Sequence, residues 1–527
     1  MSSSLIWGKY VVSRVLNRNE AVLIADGAIF QRDGKIVEIG TKADLLARHQ
    51  PDEIIGSDRH VILPGFVNGH HHMGVTPTQH GAPDLALELW IARLMAKRNI
   101  DPYLDTLYSA FEMIGSGVTT VQHIQYGVPG PVENIYEVAN EVLRAYRDIG
   151  MRASYSYVIM DQNRLLHQDD ALFAASLPKP LGDKLVQFTA GNAIPLDDNF
   201  KLFKALHEKY ATDDRLKIQL APANLHWLSD EALLRTREYS DAYDVPMHLH
   251  LLETKYQREY AFRRTGRTAV EHIEALGLLG PRLTLGHAVW LSEPDIERVA
   301  ASGCHICNNA SSNLRIRSGI APVNHFARHG IPVCVGIDEA GINDDRDMLQ
   351  EMRVVLNIHR TPGMDDDPPT CAQVLLMATE YGARTTPFGG SIGTLEPGRA
   401  ADCVLLDWQS IAHPYLDADL PIVDAIVKRA TARSVDTVIV AGEPILRDGR
   451  STRLDRTEIL AALADDARRP LTLDEIEFRG VARQVFDHVK QFYAGYQCNA
   501  SDEPYRYNDL LAGLSNPHAA RTERRPS

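Results

Sequence analysis

Cysteine is scarce in this chain, six residues scattered through 527. That thinness excludes a disulfide framework and suits a reducing compartment. Long hydrophobic runs are absent too, since no apolar stretch reaches the ~18–20 residues that span a bilayer. The opening "MSSSLIWGKYVVSRVLNRNEAV" has no basic segment leading into a long apolar core. No secretory signal is therefore expected, and a cytoplasmic location is. Positive charge is in deficit: the formal net charge of −14 argues against general affinity for nucleic acid or an anionic membrane surface. No low-complexity tract interrupts the chain. Also missing is a Gly-rich phosphate fingerprint after the first strand, which counts against a doubly wound open sheet.

What is there reads as a soluble globular protein, 44% hydrophobic and 24% charged, and too long for one small core. Residues 1–62 contain Val/Ile-rich runs separated by Gly and Asp-Gly, as in "AVLIADGAIFQRDGKIVEIG", and predict short strands. The same character returns at 393–407 and 435–449. Residues 1–62 and 393–450 are accordingly expected to form one composite β-sandwich built from both ends of the chain. Between them, in 63–392, short apolar runs alternate with amphipathic helical stretches. "GVTTVQH", "MRASYSYVIM", "LKIQLAP", "VPMHLHLLE", "LTLGHAVW", "GCHICNN" and "IPVCVGIDE" follow a first run, "HVILPGFVNGHHH". Such alternation implies a parallel sheet packed by helices. His70 and Asp338 are 268 residues apart, close to the ~250 typical of a (β/α)₈ barrel. The expected fold class is therefore α/β, a TIM-like barrel with the composite domain. A C-terminal helical extension and loose tail at 451–527 complete it.

In such a barrel the reactive residues sit at the carboxyl ends of the strands, and here those ends carry histidine, glutamate and aspartate. Strand side chains alternate faces, so His70 and His72 share one face, while His71 points away as a bystander. The pair is expected to ligate one metal ion. In "MHLHLLET" His250 is the expected third ligand, His248 a packed or supporting histidine one layer deeper, and Glu253 the proton shuttle. Asp338 ends an all-apolar strand, a costly place for a carboxylate unless it meets a cation or hydrogen-bond donors. It is cast as the fourth ligand, and His287 as a non-ligand that hydrogen-bonds the attacking water or the developing oxyanion. Three imidazoles and one carboxylate suit a single divalent ion per subunit, Zn²⁺ or Fe²⁺. "CHIC" at 304–307 lacks a completing second pair and is read as small-residue packing.

Together these residues resemble the amidohydrolase superfamily, in its metal-dependent aminohydrolase branch of heterocycle deaminases and triazine hydrolases. "LPGFVNGHHHM" is similar to the branch's first-strand signature. The likeness continues through "SGVTTVQH", "MHLHLLET", "LGHAVWLS", "NNASSNLRIRSGIAPV", "VGIDEAGINDDRDMLQEMR" and "GTLEPGRAADCVLLD". It implies one metal held by His70, His72, His250 and Asp338, with Glu253 as shuttle and His287 orienting the water. No lysine ends "IQLAPANLHWLS", which favours one metal over the bridged pair of some members. Two departures stand out. Ala223 follows Pro222 where many deaminases of the branch have a substrate-contacting histidine, and Glu339 replaces the small residue often found after the metal aspartate.

The expected reaction is hydrolytic displacement at an electron-poor ring carbon, with Glu253, His287 and Asp338 as the catalytic groups. A small aminated nitrogen heterocycle loses ammonia or an amine. Ring opening of a cyclic amide or imidazolone, and displacement of chloride or an alkylamine from a triazine, use the same site and are the alternatives. A non-catalytic scaffold is the third reading, disfavoured by the full ligand set. Expected substrate contacts are His80, Gln122, His123, His226, Trp227, Asn313 and Arg315, with Gln79, Asp84 and Trp90 as further candidates. Arg315 and Arg317 suit a substrate carboxylate, against the plainer role of solvated loop charges. A homo-oligomer is expected, with the C-terminal helices either at its interface or packed on the barrel.

Overall fold

The structure, a computed structural model, describes residues 3–360, 364 and 369–496. It opens with β1 (Ser3–Val15), β2 (Ala21–Ala25), β3 (Gly27–Arg32), β4 (Lys35–Thr41) and β5 (Glu53–Pro64). Asp33 and Gly34 join β3 to β4 with φ of 51° and 81°. Arg32 pairs directly with Lys35, the two-residue hairpin that positive φ at both central positions permits.

A closed parallel barrel follows. Its staves are β6 (Phe66–His71), β7 (Val118–Gln125), β8 (Arg152–Ile159), β9 (Leu216–Ile218) with β10 (Ala221–Pro222), β11 (Met247–Leu251), β12 (Leu283–His287), β13 (His305–Asn308) and β14 (Val333–Val335). β6, β7 and β8 pair in parallel in that order, and β9 and β10 both pair with β8, forming one interrupted stave. Bridges Leu220–Met247 and Asn224–His250 hand over to β11. β11 to β14 then run parallel in sequence. The bridge His71–Asp338 closes the circle onto β6, so ligand candidates from the first and last staves meet at the seam. Buried runs such as Val118–Ile124 fit strands covered on both faces.

The chain then returns through β15 (Cys403–Asp407), β16 (Val435–Val440), β17 (Glu443–Arg447) and β18 (Arg450–Ser451). β15 pairs antiparallel with β5, merging both chain ends into one nine-stranded sheet ordered β18-β17-β16-β15-β5-β1-β3-β4, with β2 on β1. The sheet curls back upon itself. Ile36 of β4 shares an apolar cluster with Ile6, Ile62, Leu405 and Ile439, and Ile36 N donates to Arg399 O at 2.8 Å. Alternate residues face the other way: Val61, Leu63, Val404 and Leu406 belong to the cluster that includes the barrel's own Leu249, Leu285 and Val335. One sheet thus fills its own interior and covers the barrel with period-two side chains. A buried ion pair fastens the two, Arg152 Nε to Asp402 Oδ2 at 2.8 Å and Nη2 to Oδ1 at 3.1 Å.

Helix Arg456–Arg468 follows, and Asp466 Oδ2 accepts from Asp101 N at 2.9 Å. Helix Leu473–Ala494 buries Val481, Val485 and Val489 against Leu165, Leu181 and Leu185 in a satellite core. Among the described residues no helix is long and apolar enough to cross a membrane. All five described cysteines are free and buried.

Candidate active site

Three imidazoles point into the barrel mouth. His72 Nε2 lies 2.9 Å from His70 Nε2 and 3.3 Å from His250 Nε2. Backbone carbonyls set the tautomers. His72 Nδ1 donates to Ile124 O at 2.6 Å and His250 Nδ1 to Ala223 O at 2.9 Å. A carbonyl can only accept, so both Nε2 atoms are left bare, lone pair facing lone pair. Burial, reinforced by the neighbouring histidines, holds His70 and His250 well below the ordinary imidazole pKa. They are neutral, the form that ligates metal. His70 Nδ1 sits 2.8 Å from His248 Nε2, which leaves its own Nε2 free when Nδ1 donates.

Asp338 completes the cluster, its Oδ1 3.3 Å from His72 Nε2 and 3.6 Å from His70 Nε2. Ser312 Oγ donates to Oδ2 at 2.6 Å. His70, His72 and His250 form one group able to hold a metal ion, and His70, His287 and Asp338 another. Converging unprotonated nitrogens beside a carboxylate, each oriented by a second hydrogen bond, match what a divalent cation requires. The donor set fits such an ion, with imidazole and carboxylate chemistry suited to Zn²⁺ or Fe²⁺.

The proton-handling groups lie alongside. His287 Nδ1 is 2.8 Å from Asn313 Oδ1 and 3.6 Å from Glu253 Oε1, and its Nε2 is 3.7 Å from Asp338 Oδ2. Burial raises the pKa of Glu253, with His287 opposing and Asp338 adding to the rise. Gln257 Oε1 accepts the Glu253 backbone N–H at 2.7 Å, and Ser318 Oγ donates to Glu253 Oε1 at 3.4 Å. Left-handed backbone gathers at these strand ends: Leu252, His287, Ala288 and Asp338 have φ of 52°, 66°, 51° and 63°. Each such non-glycine position costs on the order of 1–3 kcal/mol, a strain that clusters where side chains must be aimed.

A cavity of about 290 Å³ opens from this centre, touching His72, His250, Glu253, His287, Asp338 and Glu339. Of the side chains expected to meet substrate, Trp227 and Arg315 line it, as do Asp84 and Trp90. Arg315 is already committed, donating to Asp84, Asp344, Thr78 and the Gly341 carbonyl. The other five stand off the wall. Gln122 sits deeper inside the barrel and donates to Ser156 Oγ at 3.2 Å. His123, one residue on, turns to the outer face and meets Tyr146 Oη at 2.8 Å. His226 is buried in a 3₁₀ turn with its ring 4.3 Å from that of His167. His80 packs in the first loop, and burial pulls its pKa down to about 3. Asn313 serves His287 rather than the cavity. His71 faces outward, within 3.1 Å of Ser109 Oγ.

Several lining residues carried no signal as such in the sequence. Tyr126 Oη donates to Glu339 Oε1 at 2.6 Å, while the buried Oε2 has no partner. Glu339 is marked in sequence only by its place after Asp338. Phe188 and Phe478 come from helices far from any motif.

The chain is similar along most of its length to several known proteins. A 5-methylthioadenosine/S-adenosylhomocysteine deaminase of Syntrophobacter fumaroxidans is 28% identical over 447 residues, 84% of this chain and 93% of that protein. A 5'-deoxyadenosine deaminase of Methanothermobacter thermautotrophicus is 29% identical over 467 residues, 86% of this chain and 99% of its own length. The crystal structure of an adenosine deaminase from Xanthomonas campestris with bound zinc superposes with a TM-score of 0.75 at 25% identity, covering 92% of this chain and 99% of that one. Atrazine chlorohydrolase of Arthrobacter aurescens, complexed with zinc, shares the fold with a TM-score of 0.72 at 20% identity, covering 88% and 100%. The amidohydrolase family model matches residues 61–445, most of the chain, from the first stave to the return strands. This protein therefore belongs to the amidohydrolase family.

Proposed function

We propose that the protein hydrolytically deaminates an aminated nitrogen heterocycle. The observation that carries this reading is the row Glu253–His287–Asp338 beside three bare Nε2 atoms. His70, His72, His250 and Asp338 would hold one divalent ion, zinc by analogy with the zinc-bound relatives. When bound, such an ion supplies Lewis acidity and brings the pKa of water from near 16 toward ~7.

The chain's own groups then divide the proton work. Asp338, whose Oδ2 is steadied by the Ser312 hydroxyl, takes a proton from the attacking water. Glu253, desolvated and raised in pKa, delivers a proton to a ring nitrogen and makes the adjacent carbon electrophilic. His287, oriented by Asn313, stabilises the oxygen of the tetrahedral adduct. The proton held by Asp338 passes to the amino group, the C–N bond breaks and ammonia leaves, while the proton remaining on the adduct's hydroxyl returns to Glu253 and leaves the oxo heterocycle as product. The curated deaminases to which the chain is similar support an aminated purine-like ring. The accompanying picture is a cytoplasmic homo-oligomer, with residues 63–392 as the catalytic domain.

Metal analysis followed by an ammonia-release screen over purines, pyrimidines, triazines and imidazolones tests the proposal. Ammonia together with the matching oxo product supports it. Ring-opened acid or released halide without ammonia replaces deamination with another hydrolysis at the same centre.

A further inference from the structure

We propose that the substrate carries a ring-sized apolar substituent, and that the C-terminal helix Leu473–Ala494 supplies the wall that receives it; this rests on the deamination reading above. The cavity that touches His250, Glu253 and Asp338 is continuous with a far end formed by Phe188 and Phe478. Phe188 comes from helix Lys179–Gly191 and Phe478 from the C-terminal helix. Their rings meet edge to face, centroids 5.0 Å apart at 75°, and both are only partly covered. Ile91, Leu94 and Met95 continue the apolar lining toward the centre.

Several polar groups at that end are already engaged. Asn192 donates to Phe188 O at 2.8 Å, and Arg164 donates to the carbonyls of Asn192 and Met160, both at 3.1 Å. Glu475 accepts from Arg469, Thr472 N and Asn99 N. Lys97 lies nearer the centre, over the Tyr126 ring at 5.1 Å. A hydroxyl-rich arm would be stripped of water there with few groups free to replace it, whereas an aryl or branched alkyl arm gains by burial.

The wall is also held in place. Val481, Val485 and Val489 are buried in the satellite core behind it, and Glu475 clamps the helix start. This helix lies beyond residue 445, where the family model ends, and it shapes selectivity without touching the reacting atoms.

The test uses full-length, zinc-loaded protein and matched pairs of aminated purines, pyrimidines and triazines with and without an N- or S-benzyl arm. Calorimetry on the corresponding oxo products gives a binding readout independent of turnover. The benzyl member of a pair is expected to exceed its bare partner about 10- to 100-fold in kcat/KM and in affinity. Phe478→Ala and Phe188→Ala, on separate helices and checked by circular dichroism, should each reduce that ratio by about tenfold. Equal values for both members of every pair, or a ratio untouched in both variants, overturns the inference. An arm preference in product binding without ammonia release upholds the subsite while deamination falls. Ammonia release with no arm preference does the reverse.

Discussion

Asn313 Oδ1 accepts the Nδ1–H of His287 at 2.8 Å, which fixes which nitrogen of that ring faces Asp338. The pair joins β12 to the loop helix after β13, and neither residue's neighbours in sequence reveal the link. Asn313→Leu keeps the volume and removes the acceptor. Turnover is expected to fall about 10- to 100-fold, the cost usual for losing a group that orients a site histidine. Metal content should stay at the wild-type level. Steady-state kinetics beside elemental analysis checks this, and an unchanged kcat would remove Asn313 from the mechanism.

Glu253→Gln preserves shape and abolishes proton transfer. We expect a retained ion and a loss in kcat of about 10²- to 10⁴-fold, read from ammonia release by the metal-loaded variant. Activity within a few-fold of wild type would assign the proton work elsewhere.

Chelation should abolish turnover and lower thermal stability, and one equivalent of zinc per chain should restore both. An ion bound only by the folded state stabilises by roughly 2.7 kcal/mol at a free concentration 100-fold above its Kd. His250→Ala is expected to lose the ion and to show no melting shift when zinc is added. Two equivalents per chain would contradict a single centre.

Glu475 offers a pH prediction remote from the metal ligands. Hydrogen bonds from Arg469, with help from the Thr472 and Asn99 backbone N–H groups, pull its pKa down to about 2. Because the folded value is depressed, the carboxylate's contribution is full above the unfolded glutamate range, near ~4.3. It is lost as pH falls toward 2. Glu475→Gln should therefore melt below wild type at pH 7, and the gap should narrow between pH 5 and pH 3. A gap constant across that range would refute the linkage.

Arg152 and Asp402 have side chains only 4% and 2% exposed. Removing one charge strands the other, and Arg152→Met is expected to destabilise by about 3–5 kcal/mol in denaturant unfolding. The double variant Arg152→Met/Asp402→Leu should recover much of the loss, since replacing both partners avoids the stranded charge.

Much of this architecture was legible in the chain because two periodicities are explicit. The alternation of apolar runs with helical stretches marks eight staves, and the period of two within "NGHHHM" and "MHLHL" says which imidazoles share a face. Asp33-Gly34 announces its hairpin for an equally local reason, since few other pairs accept two positive φ values. Where the sequence misleads, the deciding contact is distant. His123 ends a strand as suggestively as His72, yet Tyr146 on the following helix takes it outward. Arg315, which the sequence allows either as a carboxylate binder or as a solvated loop charge, is instead held by Asp84 and Asp344, 231 and 29 residues away. Phe478 reaches the cavity only through the packing of a helix with no motif of its own.

The pairing of β5 with β15 has a consequence for synthesis on the ribosome. About 340 residues separate the two strands, roughly 17–70 s of elongation at bacterial and eukaryotic rates. Throughout that interval the nascent amino-terminal strands present an unfilled edge, the kind of template that recruits stray partners. A holdase should therefore engage this protein early in translation and let go once residues near 410 have left the exit tunnel.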